Sequence, residues 1–161
     1  MLRSLGVVFA GVALLWFFGQ ASPGDEKTVR RVDQSEDRTA WTSSVPGARV
    51  PGPLPGWTPT VSQYDRSPVG LRLGWVTAAG RYAELAQSIG PSEPFVQAQT
   101  GAGTPQGTVD VAGTPWQRYV DGDGSVSLVR RLGGGITVVA GTTRENAPES
   151  DVVRLARSLQ G

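Results

Sequence analysis

Residues 5–18 form an apolar run broken only by Gly6 and Gly11, with Arg3 before it and Gln20, Asp25 and Glu26 after it. That pattern predicts a membrane segment. Fourteen helical residues reach only ~21 Å against a ~30 Å hydrocarbon core, so a crossing needs residues 1–21, with Arg3 snorkelling to the interface. Residues 22–52 follow as a polar stretch, punctuated by Pro23-Gly24, Pro46-Gly47 and Pro51-Gly52. They are expected to form a tether, with a short helix between Asp33 and Trp41. A domain over residues 53–161 is expected to begin at Leu54-Pro55-Gly56-Trp57, where the period changes to two. Leu71, Leu73 and Trp75 alternate with Arg72 and Gly74, Val109 and Val111 bracket Asp110, and Ile136, Val138 and Ala140 repeat the pattern. Each reads as a half-buried strand.

Between these runs stand turn signals: Ala79-Gly80, Ala112-Gly113, Asp121-Gly122-Asp123-Gly124 and Gly133-Gly134-Gly135. Their spacing suits hairpins and predicts a meandering antiparallel sheet. Two segments break the alternation. Residues 92–100 suit a short helix capped by Ser92, with Glu93 and Pro94 in its first turn and Gly101 after its end. Near the C-terminus Val152, Leu155, Ala156 and Leu159 fall at i, i+3, i+4 and i+7, while Arg154 and Arg157 point away, which predicts an amphipathic helix lying on the sheet. The fold class expected is α+β: an N-terminal membrane helix, then a small antiparallel-sheet domain with a C-terminal amphipathic helix.

Composition narrows the chemistry more than it suggests any. The 161 residues carry 15 Lys and Arg against 14 Asp and Glu, so no field of one sign points to nucleic acid or another polyanion. Without cysteine there is no disulfide framework, thiolate metal site or thiol nucleophile, nor an acceptor for N-terminal lipid. Without histidine a Ser-His-Asp arrangement is excluded, and a Ser-Lys dyad would need Lys27, far in sequence from the domain. No cofactor or metal is expected. With an anchor and tether set aside, roughly 110 residues remain, enough for one core.

The expected location is the cell membrane, crossed once through residues 5–18, with the domain outside the cytoplasm. Lys27, Arg30 and Arg31 after the run outnumber Arg3 before it, yet a long domain behind a signal-like segment crosses largely regardless of flanking charge. The alternative is secretion after cleavage near Ala21, because Gly19-Gln20-Ala21 offers small residues where a signal peptidase reads.

Several short strings resemble one family: Pro23-Gly24-Asp25-Glu26-Lys27, Leu54-Pro55-Gly56-Trp57, Leu73-Gly74-Trp75-Val76-Thr77 with Gly80-Arg81-Tyr82, Gln87-Ser88, and Trp116-Gln117-Arg118-Tyr119. Together they resemble the actinobacterial membrane-anchored proteins catalogued as domain of unknown function 4245. The resemblance implies a single N-terminal membrane helix and an exported domain, and carries no catalytic residues over. This chain departs from the family in its short start and in a shorter, more polar stretch at residues 33–50.

Asp121-Gly122-Asp123-Gly124 has the alternate carboxylates of a calcium loop, but an EF-hand would need a bidentate Glu where Leu132 stands, so it reads as a hairpin turn. Gly101-Ala102-Gly103 and the Gly133 triplet do not join a strand to a helix start and read as loops. Trp57, Trp75, Trp116, Tyr64, Tyr82 and Tyr119 read first as core. If the domain holds a ligand, Arg81, Tyr82, Trp116, Gln117 and Arg118 are the candidate residues, able to stack on a glycan ring or hold a peptide. The function expected is a non-catalytic module binding a partner protein, peptide or envelope polymer. The alternative is a carboxylate enzyme such as a glycan hydrolase, using Asp121 and Asp123.

Overall fold

The computed structural model describes residues 29–141 and 147–159. The apolar run at residues 5–18 lies outside them, and among the described residues no helix is long and apolar enough to cross a membrane.

The alternating runs pair into one seven-stranded antiparallel sheet. Strands β1 (Thr58–Arg66), β2 (Val69–Val76) and β3 (Tyr82–Ile89) form one meander. Strands β4 (Thr104–Val111), β5 (Thr114–Val120), β6 (Val126–Arg131) and β7 (Ile136–Gly141) form a second. The two join through β3 and β7, giving the order β1-β2-β3-β7-β6-β5-β4. Helix α1 (Ser35–Ser44) precedes the sheet, α2 (Ser92–Gln99) links the meanders and α3 (Glu149–Ser158) ends the described fold. The expected turns stand where their signals are. At Ala112-Gly113 both residues take positive φ, which a two-residue hairpin twisted like its strands requires.

One sheet face carries the principal core. Leu71, Leu73 and Trp75 of β2, Ala83 and Leu85 of β3, Ile136, Val138 and Ala140 of β7, Leu128 of β6 and Trp116 of β5 all point there and are buried. The stripe expected on the last helix covers them: Val152, Leu155, Ala156 and Leu159 are buried, while Arg154 and Arg157 are exposed. Arg118 reaches from β5 to the start of this helix, its Nε and Nη2 donating to the two Glu149 oxygens at 2.9 and 3.0 Å. That fork ties the start of the helix to β5.

The stretch expected as a tether behaves differently from residue 32 onward. Trp41 of α1 is fully buried in the same core, edge-on to Tyr64, and Val45 follows it. The Gln34 side-chain amide donates to the carbonyls of Val61 and Gly74, at 2.8 and 3.2 Å, beside a bulge between Pro59 and Val61. Gln87, whose side chain lies on the core face, donates to the Arg49 carbonyl at 2.8 Å, and Arg38 donates to that of Pro51. Residues 32–52 are therefore packed against the sheet by one large aromatic and a set of side-chain-to-backbone bonds. A scan for apolar periodicity does not register such an attachment.

Among the described residues the opposite face is covered only along its middle. Val96 of α2 packs with Tyr119, Val129 and Val139, and Phe95 leans on the same cluster. Glu93 pairs with Arg131 at 2.6 Å. Because α2 lies there, β7 is buried on both faces rather than one. The helix start also differs from expectation: Ser92 is its first residue, Pro91 is the cap, and no side chain closes it.

Candidate functional site

Among the described residues the second face stays open on either side of α2, and on the β1–β2 side it forms a groove of about 220 Å³. Its floor is made by side chains of one parity: Gly70 and Arg72 of β2, Ala86 and Ser88 of β3. Small residues at three of these positions leave the space. Gln63 and Asp65 of β1 make one wall and Phe95 and Gln99 of α2 the other.

The polar groups around the groove are ordered but keep bonding capacity. Gln63 Nε2 donates to both Asp65 oxygens, at 3.1 and 3.0 Å, so the amide oxygen of Gln63 still has lone pairs to offer. Arg72 pairs through Nε with Glu84 at 3.2 Å and has its remaining N–H groups in reserve. Gln99 makes no side-chain hydrogen bond among the described residues. Behind Arg72, Tyr82 Oη donates to Glu84 Oε2 at 2.7 Å. Burial, reinforced by the Glu84 charge, pushes the Tyr82 phenol well above its ordinary range. The phenol end of Tyr82 comes close to Gly74, where a Cβ would fall within 2.9 Å of Tyr82 Cζ.

Two other hollows are less suited to a ligand. One, of about 420 Å³, lies across α2 and is lined by Thr108, Gln117 and Arg131 among others. Two of its polar side chains are engaged, Arg131 with Glu93 and Gln117 Oε1 with the Tyr119 hydroxyl, and none of the residues lining it is aromatic. The third, of about 470 Å³ at the start of α1, is lined in part by Asp33, Gln34 and Arg38. Asp33 accepts the Ser35 backbone N–H, which holds its carboxyl below the usual range, and Gln34 and Arg38 are bound to backbone carbonyls.

The five residues singled out from sequence do not meet at one place. Trp116 is fully buried on the core face, with the Arg130 guanidinium 5.9 Å from its ring centre. Arg118 is on that face too, held by Glu149, whose hydrogen bonds raise its pKa above the ordinary guanidinium value. Gln117 points to the second face, beside the hollow across α2. Arg81 is exposed in the β2–β3 turn, where its backbone N–H donates to Thr77 Oγ1 at 3.2 Å. Tyr82 alone approaches the groove, through Glu84 and Arg72. Gln63, Asp65, Phe95 and Gln99 were missed because they come from two elements some thirty residues apart, with no motif at either.

Asp121 serves its own turn: Oδ1 accepts the backbone N–H groups of Asp123 and Ser125 at 2.9 and 2.8 Å, and Gly124 takes positive φ. That is the arrangement of a turn-capping aspartate.

A family model described as "Protein of unknown function (DUF4245)" matches residues 1–159. The chain belongs to the DUF4245 family. The match runs through all the strings from Pro23 to Tyr119 that resemble the family, and it takes in α1 and the preceding apolar run together with the sheet. No curated protein and no solved structure matches this DUF4245 chain.

Proposed function

We propose that this DUF4245 protein is a non-catalytic binding module of the cell envelope, held to the membrane through residues 5–18 with its domain outside the cytoplasm, as in the membrane-anchored actinobacterial proteins it resembles. Its ligand is taken up in the groove between α2 and the β1–β2 hairpin. The observation that carries this reading is the groove itself: small floor residues, and rim side chains with free donors and acceptors. The engagement of Asp121 in its own turn supports binding over carboxylate hydrolysis, because that carboxylate is bound to backbone N–H groups and is not turned to a cleft.

Capture from intact membranes tests the reading, comparing the native chain with Asp65→Ala/Gln99→Trp, which removes a rim charge and fills the groove. Envelope material held by the native chain and lost by the variant is the expected result; equal retention, or none by either, overturns it. Protease added to spheroplasts should digest the domain, and its protection would overturn the topology.

A further inference from the structure

We propose that the groove beside α2 binds a neutral sugar unit of a glycan, an assignment that rests on the reading of the protein as a binding module. Four features of the groove select this ligand class. The first is size: about 220 Å³ is below the ~300 Å³ at which sites for drug-sized ligands begin, so the fitting unit is a single ring and not a folded partner.

The second is the rim. Each sugar hydroxyl both donates and accepts, and matching it calls for planar groups that do the same at close spacing. Gln99 is an amide with both capacities, Gln63 offers its amide oxygen, Asp65 is an acceptor with lone pairs left beside the Gln63 N–H groups and Arg72 is a multiple donor, all lining the same cavity. Phe95 adds one flat apolar surface for the C–H side of a ring.

The third is charge. Asp65 and Arg72 are the charged side chains lining the groove and balance each other, so no excess of either sign draws in phosphate, uronate or another ion. A neutral ligand suits such a balanced lining.

The fourth feature argues against a peptide. Extended peptides bind by adding to a free sheet edge, with pockets for alternate side chains. Here the floor is β2 and β3, whose main chains are already paired with β1 and β7. The groove lies on the face of paired strands and offers a peptide no main-chain ladder.

The test uses the ¹⁵N-labelled full chain in phosphocholine micelles, titrated separately with cellotriose, triacetylchitotriose and end-blocked trialanine while backbone amide shifts are followed. The expected result is that at least one sugar moves amides confined to residues 63–72, 86–88 and 95–99 while trialanine does not. Asp65→Asn and Gln99→Ala should each weaken the sugar about tenfold, as loss of one good hydrogen bond does, without altering the rest of the spectrum. Shifts in the groove with trialanine alone overturn the sugar assignment and leave a binding module with a peptide ligand. Sugar shifts elsewhere, or equal affinity in the variants, overturn the site. No shift with any probe overturns the sugar assignment, and the membrane capture above then decides separately whether the binding reading falls with it.

Discussion

Gly74 shows how much one hydrogen atom in place of a methyl group can decide. Tyr82 rests on it, donates to Glu84 and so fixes the carboxylate that holds Arg72 over the groove floor. Gly74→Ala should destabilise the protein by about 1–3 kcal/mol, as overpacking does, measured by chemical denaturation. In a Tyr82→Ala background the same substitution should cost much less, because the two sites share one contact; strict additivity would show that the ring is not what the methyl meets. Tyr82 also sets an alkaline limit. Its phenol is raised in the fold by burial and by Glu84, whereas the unfolded chain loses the proton near the ordinary value of 10.0. The folded state then binds more protons than the unfolded state, so the stabilisation is complete below about pH 10 and is lost as pH rises beyond it. Denaturation midpoints followed from about pH 8 to 11 should fall, and Tyr82→Phe should remove that part of the decline.

At the scale of elements, the last helix is the clearest case of sequence declaring structure. Four apolar positions at helical spacing with arginines between them leave one way to pack, and Leu155→Ala should cost about 2–5 kcal/mol while Arg157→Ala stays within about 0.5. Arg154 belongs between them, since it donates to the Pro55 carbonyl and lies 5.3 Å from the Trp57 ring centre. Equal losses at Leu155 and Arg157 in thermal melts would refute the packing. The β2 alternation was legible for the same reason: one covered face imposes one parity. It was not legible that Thr137 and Val139 would be buried opposite Ile136 and Val138, because burial on both faces of β7 depends on where α2 lands, and α2 shows its helical character without its docking site. Nor was α1 legible as part of the fold, for its attachment is Trp41 and polar side chains reaching backbone carbonyls. Trp41→Ala should therefore cost about 3–5 kcal/mol, and a chain begun at residue 53 should unfold at markedly lower denaturant than one begun at residue 29. The groove was hidden for a similar reason: Asp65, Gly70, Ala86 and Gln99 have no local pattern in common, and only the pairing of β1, β2 and β3 under α2 brings them together.

For the molecule as a whole, six strand pairs make the sheet, and five of them join strands consecutive in sequence. Such pairs close as hairpins, on the order of 1–10 μs in isolation. The sixth, β3 with β7, joins residues about 50 positions apart and must wait for the entropy of that closure to be overcome. The molecule is thus two quickly forming pieces with one slow seam, and a break at the exposed Gly90-Pro91 falls between them. Residues 29–90 and 91–161 produced together should assemble into one species on gel filtration with the circular dichroism of the intact chain, while each alone should aggregate through its unpaired β3 or β7 edge. A half that folds alone, or halves that never associate, would contradict this. β7 is also the last strand to leave the ribosome. Until it arrives, a nascent chain holds β3 open along an edge flanked by apolar side chains, so any chain halted before Ile136 is left with an adhesive border and nothing of its own to close it.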